Sequence, residues 1–144
     1  MRKILLLLVI LVVGFLAWYG LKEYNRKNKD LKSLTADIKI DAPSLIADFE
    51  KDSSSANKKY TDKIIAVTGN VKKIDADGNP VIIFLSNPNQ MSSVKCSMDS
   101  THAEDYKVIK PGSTITVKGK CTGGETSDLF GTDVTLNYGV IADK

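Results

Sequence analysis

The sequence predicts a mainly β domain, a five-stranded Greek-key barrel with an N-terminal helix and a further helix between strands three and four, preceded by one transmembrane helix. Three observations predict it. An uncharged apolar run, residues 4–21, follows Arg2 and Lys3; Leu45, Phe49, Ala56 and Tyr60 recur on one helical face; and from Ile64 onward short β-branched runs alternate with turn signals.

At 1.5 Å rise per residue the run from Ile4 to Leu21 spans roughly 27 Å, close to the ~30 Å hydrocarbon core of a bilayer. A cleaved secretory peptide shares the basic start, but its apolar region is about 7–15 residues long and ends at a small-x-small site. Here the run ends in Trp18 and Tyr19, which suit an interfacial aromatic belt, with Lys22 and Arg26 beyond it. An uncleaved anchor over residues 1–24 is therefore the favoured reading, and secretion after cleavage is the alternative. A buried core helix is disfavoured because too little chain remains to surround it. Basic residues flank the run on both sides, so the positive-inside rule does not orient it. The short basic N-terminus ahead of a first apolar segment favours a domain outside the cytoplasm.

Residues 25–41 are polar and without a strong period, and read as a juxtamembrane spacer. The remaining stretch, residues 42–144, suffices for one compact domain with one core. Ala42-Pro43-Ser44 opens its helix, proline being tolerated in the first turn, and the apolar face then runs to Tyr60 with a break near Ser53-Ser54-Ser55, where serine is a weak helix former. Ile64 to Val71 is the first strand, with Gly69 placed for a bulge. Asp75 to Asn79 is a turn, Val81 to Leu85 the second strand, and Val94 to Met98 the third. Ala103 to Ile109 reads as a short helix ended by Pro111-Gly112. Ser113 to Lys120 alternates cleanly as a fourth strand, a long loop runs from Thr122 to Thr132, and Asp133 to Ile141 completes a fifth. Five strands with a helix between the third and fourth is the order of an OB-fold barrel, whose closure removes exposed strand edges.

Charge separates the tail from the domain. Six of the 20 Lys and Arg residues and two of the 17 Asp and Glu residues precede Leu31, which leaves the domain at −1. A near-neutral domain disfavours nucleic acid, whose binding needs clustered cations to displace phosphate counterions. The juxtamembrane cations read instead as a solvated stop beside lipid headgroups. Cys96 and Cys121 leave two alternatives open: a disulfide in an exported domain, worth roughly 3 kcal/mol for a loop of this size, or two reduced, buried thiols in the cytoplasm. A metal site is not expected, since zinc needs about four ligands and His102 is the only histidine.

Along its length the domain resembles a known family. Leu45-x-x-x-Phe49, Ala56-Asn57-x-Lys59-Tyr60-x-x-Lys63, Val67-Thr68-Gly69-x-Val71, Val94-x-Cys96, Pro111-Gly112, Val117-x-Gly119-x-Cys121-x-Gly123 and Asp133-Val134-x-Leu136 look like the tRNA_anti-like OB-fold proteins, over about residues 43–141. The resemblance implies a small bacterial envelope protein or lipoprotein, with a family name that records likeness to anticodon-binding domains rather than an activity. In the family a further cysteine often follows the last strand's leucine, where this chain has Gly139. A family bridge through that position would leave the Cys96–Cys121 pairing in doubt.

No catalytic residue is expected. Ser55-Ala56-Asn57-Lys58 matches S-x-x-K without the partner motifs of that chemistry. Glu104 and Asp105 adjoin His102 in sequence only, which does not orient an imidazole, and it reads as a surface residue. Asp75-x-Asp77-Gly78-Asn79 lacks the glycine and glutamate positions of a calcium loop and reads as a hairpin turn. Phe84 is the one aromatic of the second strand and is expected in the core rather than as a base-stacking platform. Candidate ligand-contacting residues are Asn57, Lys59, Lys72, Lys95 and Phe130. The simpler expectation for Asn57, Lys59 and Tyr60 is that they fix the helix to the barrel, with the Tyr60 hydroxyl finding a partner. The simpler expectation for Leu129 and Phe130, in the long loop, is that they pack back on the barrel. The sequence thus points to a binding module without cofactor, held in a bacterial cytoplasmic membrane through residues 4–21. Its ligand class is a protein, peptide or envelope glycan, with nucleic acid the alternative.

Overall fold

The computed structural model describes Val12, Gly14, Phe15, Trp18 and Tyr19, all helical, and residues 30–142. The span expected over Ile4 to Leu21 otherwise lies outside the described residues, and no helix among the described residues is long and apolar enough to cross a membrane.

Five strands close the expected barrel: β2 (Ile64–Asp75), β3 (Ile82–Leu85), β4 (Ser93–Met98), β5 (Thr114–Ser127) and β6 (Gly131–Ile141). Their order is β2-β3-β4-β6-β5, and β5 pairs back onto β2 to shut the barrel. The β4–β6 pair is parallel and the other barrel pairs are antiparallel. Alternation along each strand sends Ile65, Val67, Ile83, Leu85, Val94, Cys96, Val117, Cys121, Val134 and Leu136 inward, where all are fully buried. One end of the barrel is plugged by two helices, α1 (Ala42–Lys51) and α2 (Ser53–Tyr60), which contribute Leu45, Phe49 and Tyr60 to the same core. A short helix α3 (Ala103–Lys107) lies between β4 and β5, as expected.

The expected break in the first helix is real, and its cause is Asp52. Its carboxylate accepts from the backbone N–H of Ser55 at 3.0 Å and from the Ser55 hydroxyl at 2.6 Å, so it caps α2 while ending α1. Asp41 caps α1 in the same way through Ser44. Gly69 does not form the bulge, which falls between Val71 and Lys73. A Cβ on Gly69 would lie 2.8 Å from the Ala42 Cβ, so this glycine lets the start of α1 rest on β2.

Three other expectations are corrected. Residues 30–41 are not a free spacer: Leu31 is buried in a short 3-10 turn, Leu31–Ser33, and Ile38–Asp41 forms β1, a sixth strand parallel to β2. Ile38 and Ile40 pack against the core, an alternation too short to stand out in a polar stretch. The expected loop from Thr122 to Thr132 is mostly strand, since β5 and β6 continue in register from Gly123↔Thr135 to Ser127↔Gly131 and turn only at residues 128–130. Finally, Cys96 and Cys121 are free and buried. Each pairs in register with Leu136, from opposite sides of β6. Two strand spacings come to about 9 Å, beyond the ~7 Å at which a disulfide can close, so the candidate bridge does not form.

Candidate functional site

The cap at Asp52 aims the side of α2 that carries Asn57 at β5. The Asn57 amide brackets one residue of that strand: Oδ1 accepts from the Gly124 N–H at 3.2 Å and Nδ2 donates to the Gly124 carbonyl at 3.3 Å. Thr61 donates its hydroxyl to the same Oδ1 at 3.3 Å. The side chain therefore pairs with β5 as a neighbouring strand would. Glycine is required where it does so. Gly123 sits at φ +109, where an added Cβ would meet Asn57 Oδ1 at 2.7 Å, and a Cβ on Gly124 would press the Phe49 ring at 2.8 Å.

Lys59 and Tyr60 form a second constellation on the other side of α2. The Tyr60 ring is fully buried against Phe49, and its hydroxyl donates to Asp48 at 2.5 Å. Lys59 Nζ lies 2.9 Å from the same carboxylate and 4.7 Å from the Tyr60 ring centre. The Tyr60 hydroxyl, and after it Lys59, holds the Asp48 carboxyl below its ordinary value. Burial, and then Asp48, pushes the Tyr60 phenol up. Tyr60 and Asp48 likewise raise Lys59. The three groups tie α1 to α2.

Beside Asn57 the outer face of β4, β6 and β5 holds a groove of about 610 Å³, lined among others by Lys95, Glu125, Phe130 and Asp133. Three of the five expected contact residues, Asn57, Lys95 and Phe130, thus meet at one place. Lys95 Nζ is 2.7 Å from Asp133, which also accepts from the Ser93 hydroxyl at 2.8 Å, so the charge is held rather than swinging in solvent. Phe130 and Leu129 do not pack back on the barrel: they are 71% and 74% exposed on the hairpin turn. Lys59 and Lys72 do not line this groove. Lys72 donates to the Gln90 carbonyl and borders a separate hollow of about 500 Å³ with Lys73 and Pro88.

Phe84 is a further correction. It is half-buried on the outer face of β3, not in the core, with Lys73 Nζ 5.8 Å from its ring centre. In register it lies between Lys73 on β2 and Lys95 on β4. Ile83 and Leu85 point inward and so oblige Phe84 to point out. Glu125 and Met91 were not singled out from sequence, because only the pairing of β5 with β6 and the approach of the loop before β4 to Gly131 bring them to this end of the barrel. His102 lies at the other end of the barrel, with Nε2 3.0 Å from Asp30. No group of three potential metal ligands occurs among the described residues.

The family model described as tRNA_anti-like matches residues 1–131. No curated protein matches the sequence. Among solved structures, a lipoprotein from Klebsiella pneumoniae subsp. pneumoniae MGH 78578, proposed to bind nucleic acid, is similar with a TM-score of 0.57. The identity is 16%, over 72% of this chain and 91% of the other. OBody NL8, bound to hen egg-white lysozyme, is similar at TM-score 0.41 and 14% identity, over 57% of this chain and 97% of the other. A proposed aspartyl-tRNA synthetase from Leishmania major Friedlin is similar at TM-score 0.47 and 11% identity, over 89% of this chain and 26% of the other.

Proposed function

The chain belongs to the tRNA_anti-like family, and we propose that it is a non-catalytic OB-fold binding module, anchored by residues 4–21 and displayed on the outer side of a bacterial cytoplasmic membrane. The observation that carries the binding role is the convergence of Asn57, Lys95 and Phe130 on one groove of the barrel's outer face. A groove with an exposed ring, two carboxylates and a strand backbone suits a peptide or glycan better than a polyanion. Catalysis finds no support in the residues that usually perform it. Burial pushes both thiols up, and the single histidine is bonded to Asp30 far from the groove. The Klebsiella protein is proposed to be a lipoprotein, which supports an envelope placement.

A reporter active only outside the cytoplasm, fused after Lys144, tests the placement. An active fusion is expected, and an inactive one overturns the display of the domain on the outer side. One observation favours a second reading, single-stranded nucleic acid across β3 and β4: the outward Phe84 between Lys73 and Lys95 is the kind of stacking platform such binders use. Anisotropy of a labelled oligothymidylate over a salt series decides it. Binding that falls steeply with salt and is lost in Phe84→Ala would replace the peptide or glycan reading.

A further inference from the structure

The β5–β6 hairpin turn carries Leu129 and Phe130, and the loop beside it carries Met91, 66% exposed. These side chains are not exposed because the loops are loose. The Ser92 hydroxyl accepts from the Thr132 N–H at 3.0 Å and donates to Glu50 at 2.8 Å, while the Thr132 and Thr126 hydroxyls bond across the hairpin at 3.1 Å. Gly131, at φ +77, sits so close to the loop that a Cβ would lie 2.8 Å from Ser92 Oγ. Hydrogen bonding thus ties the hairpin beside its turn to the neighbouring loop, and three large apolar side chains stand in solvent next to that junction. Around them stand Glu50, Glu125, Asp128 and Asp133, against two cations: Lys95, which Asp133 already pairs, and Lys72, which the Gln90 carbonyl beside Met91 holds.

From this arrangement we propose that the hairpin tip and the adjoining groove form a docking site for an extended protein segment that presents apolar side chains beside a basic one. The proposal rests on the reading of the groove as the binding face and names its ligand. The acidic surround opposes a nucleic acid or an anionic lipid surface here. The tip also faces away from where the chain joins the domain. Lys118 Nζ holds the carbonyls of Lys32 and Leu34 at that end, and β5 from Lys118 to Ser127 covers roughly 30 Å at about 3.3 Å per residue. A second copy of the chain is a poor fit: three side chains of this exposure offer on the order of 400 Å², about half of what each partner contributes to a standard interface. A short segment matches that area.

The test uses the full chain in nanodiscs of neutral phosphatidylcholine, titrated with labelled, end-blocked octapeptides that alternate Leu with Lys, or Leu with Glu. The Leu–Lys peptide is expected to bind at least about tenfold more tightly than the Leu–Glu peptide. Phe130→Ser and the double change Glu125→Lys with Asp128→Lys should each weaken it by about tenfold, while Lys39→Glu at the far end leaves it unchanged. Equal binding of the two peptides, or indifference to Phe130→Ser, overturns the proposal. So does a concentration-dependent dimer abolished by Phe130→Ser, which would make a second copy the occupant. If an envelope glycan fragment binds in a Phe130-dependent way and neither peptide does, this inference fails and the groove reading stands. If only oligothymidylate binds, through Phe84, both fail.

Discussion

The two ends of the barrel are built on opposite rules. At the end where the chain joins the domain, polar groups are paired: Lys32 with Asp105, His102 with Asp30, Lys118 with two carbonyls and Asp37 with the backbone of Ile64; Leu31 is buried there, and Val108 after α3 is a lone exposed apolar side chain in that cluster rather than part of a patch. At the hairpin end, hydrogen bonds hold the backbone still while Met91, Leu129 and Phe130 face solvent. The first end is finished as a folded surface. The second is a rigid apolar patch of the kind that marks an interaction site on a soluble domain.

The sharpest way to test that contrast is to disturb the scaffold under the hairpin. Gly124→Ala drives a methyl into the Phe49 ring and should cost about 2–3 kcal/mol in urea unfolding of the full chain. Leu31→Ala probes the other end, and about 2 kcal/mol is expected for emptying a buried leucine site. A change near zero would mean that residues 30–41 are only a tether. Asn57→Ala leaves both backbone groups of Gly124 without their partner, for about 1–2 kcal/mol by the same measurement.

Smaller effects separate the ends by pH and by reactivity. The carboxyls of Asp41, Asp48 and Asp52 are all held below the ordinary 3.8, chiefly by hydrogen bonds from Ser44, Tyr60 and Ser55 respectively. Depressed folded values stabilise the fold above pH ~4 and lose that contribution as pH falls through them. Asp48→Asn should therefore flatten the acid limb of the stability curve. Lys59 is shifted the other way, so its contribution is full at neutral pH and fades only as pH rises through its raised value. Alkylation of the native chain should spare both Cys96 and Cys121, because burial keeps their thiols protonated, and both should react in denaturant without reductant. Thiols that stay blocked in denaturant until reduced would show a bridge after all. The smallest expected effect is at the tip itself: Phe130→Ser should move stability by no more than about 0.5 kcal/mol, since the ring buries little.

Much of this was legible in the chain. The order of strands and helices and the buried face of Leu45, Phe49, Ala56 and Tyr60 follow from local periodicity and turn chemistry. These depend on neighbours a few residues away. What escaped reading depends on distant ones. β1 is a strand only because β2 offers it an edge and the core a place for Ile38 and Ile40. Phe84 was misplaced because an apolar run of five residues hides which positions face in until a barrel wall supplies the inside.

The sequence by itself therefore determined the barrel, its helical plug and the apolar N-terminal run, because alternation, caps and hydropathy act within one element at a time. Only the tertiary structure decided which residues share a surface. Cys96 and Cys121 were put on either side of Leu136 and out of reach of each other, and Asn57, Lys95 and Phe130 were brought from three elements to one groove. Strand register and barrel closure set those distances, and both are properties of pairing between segments far apart in the chain.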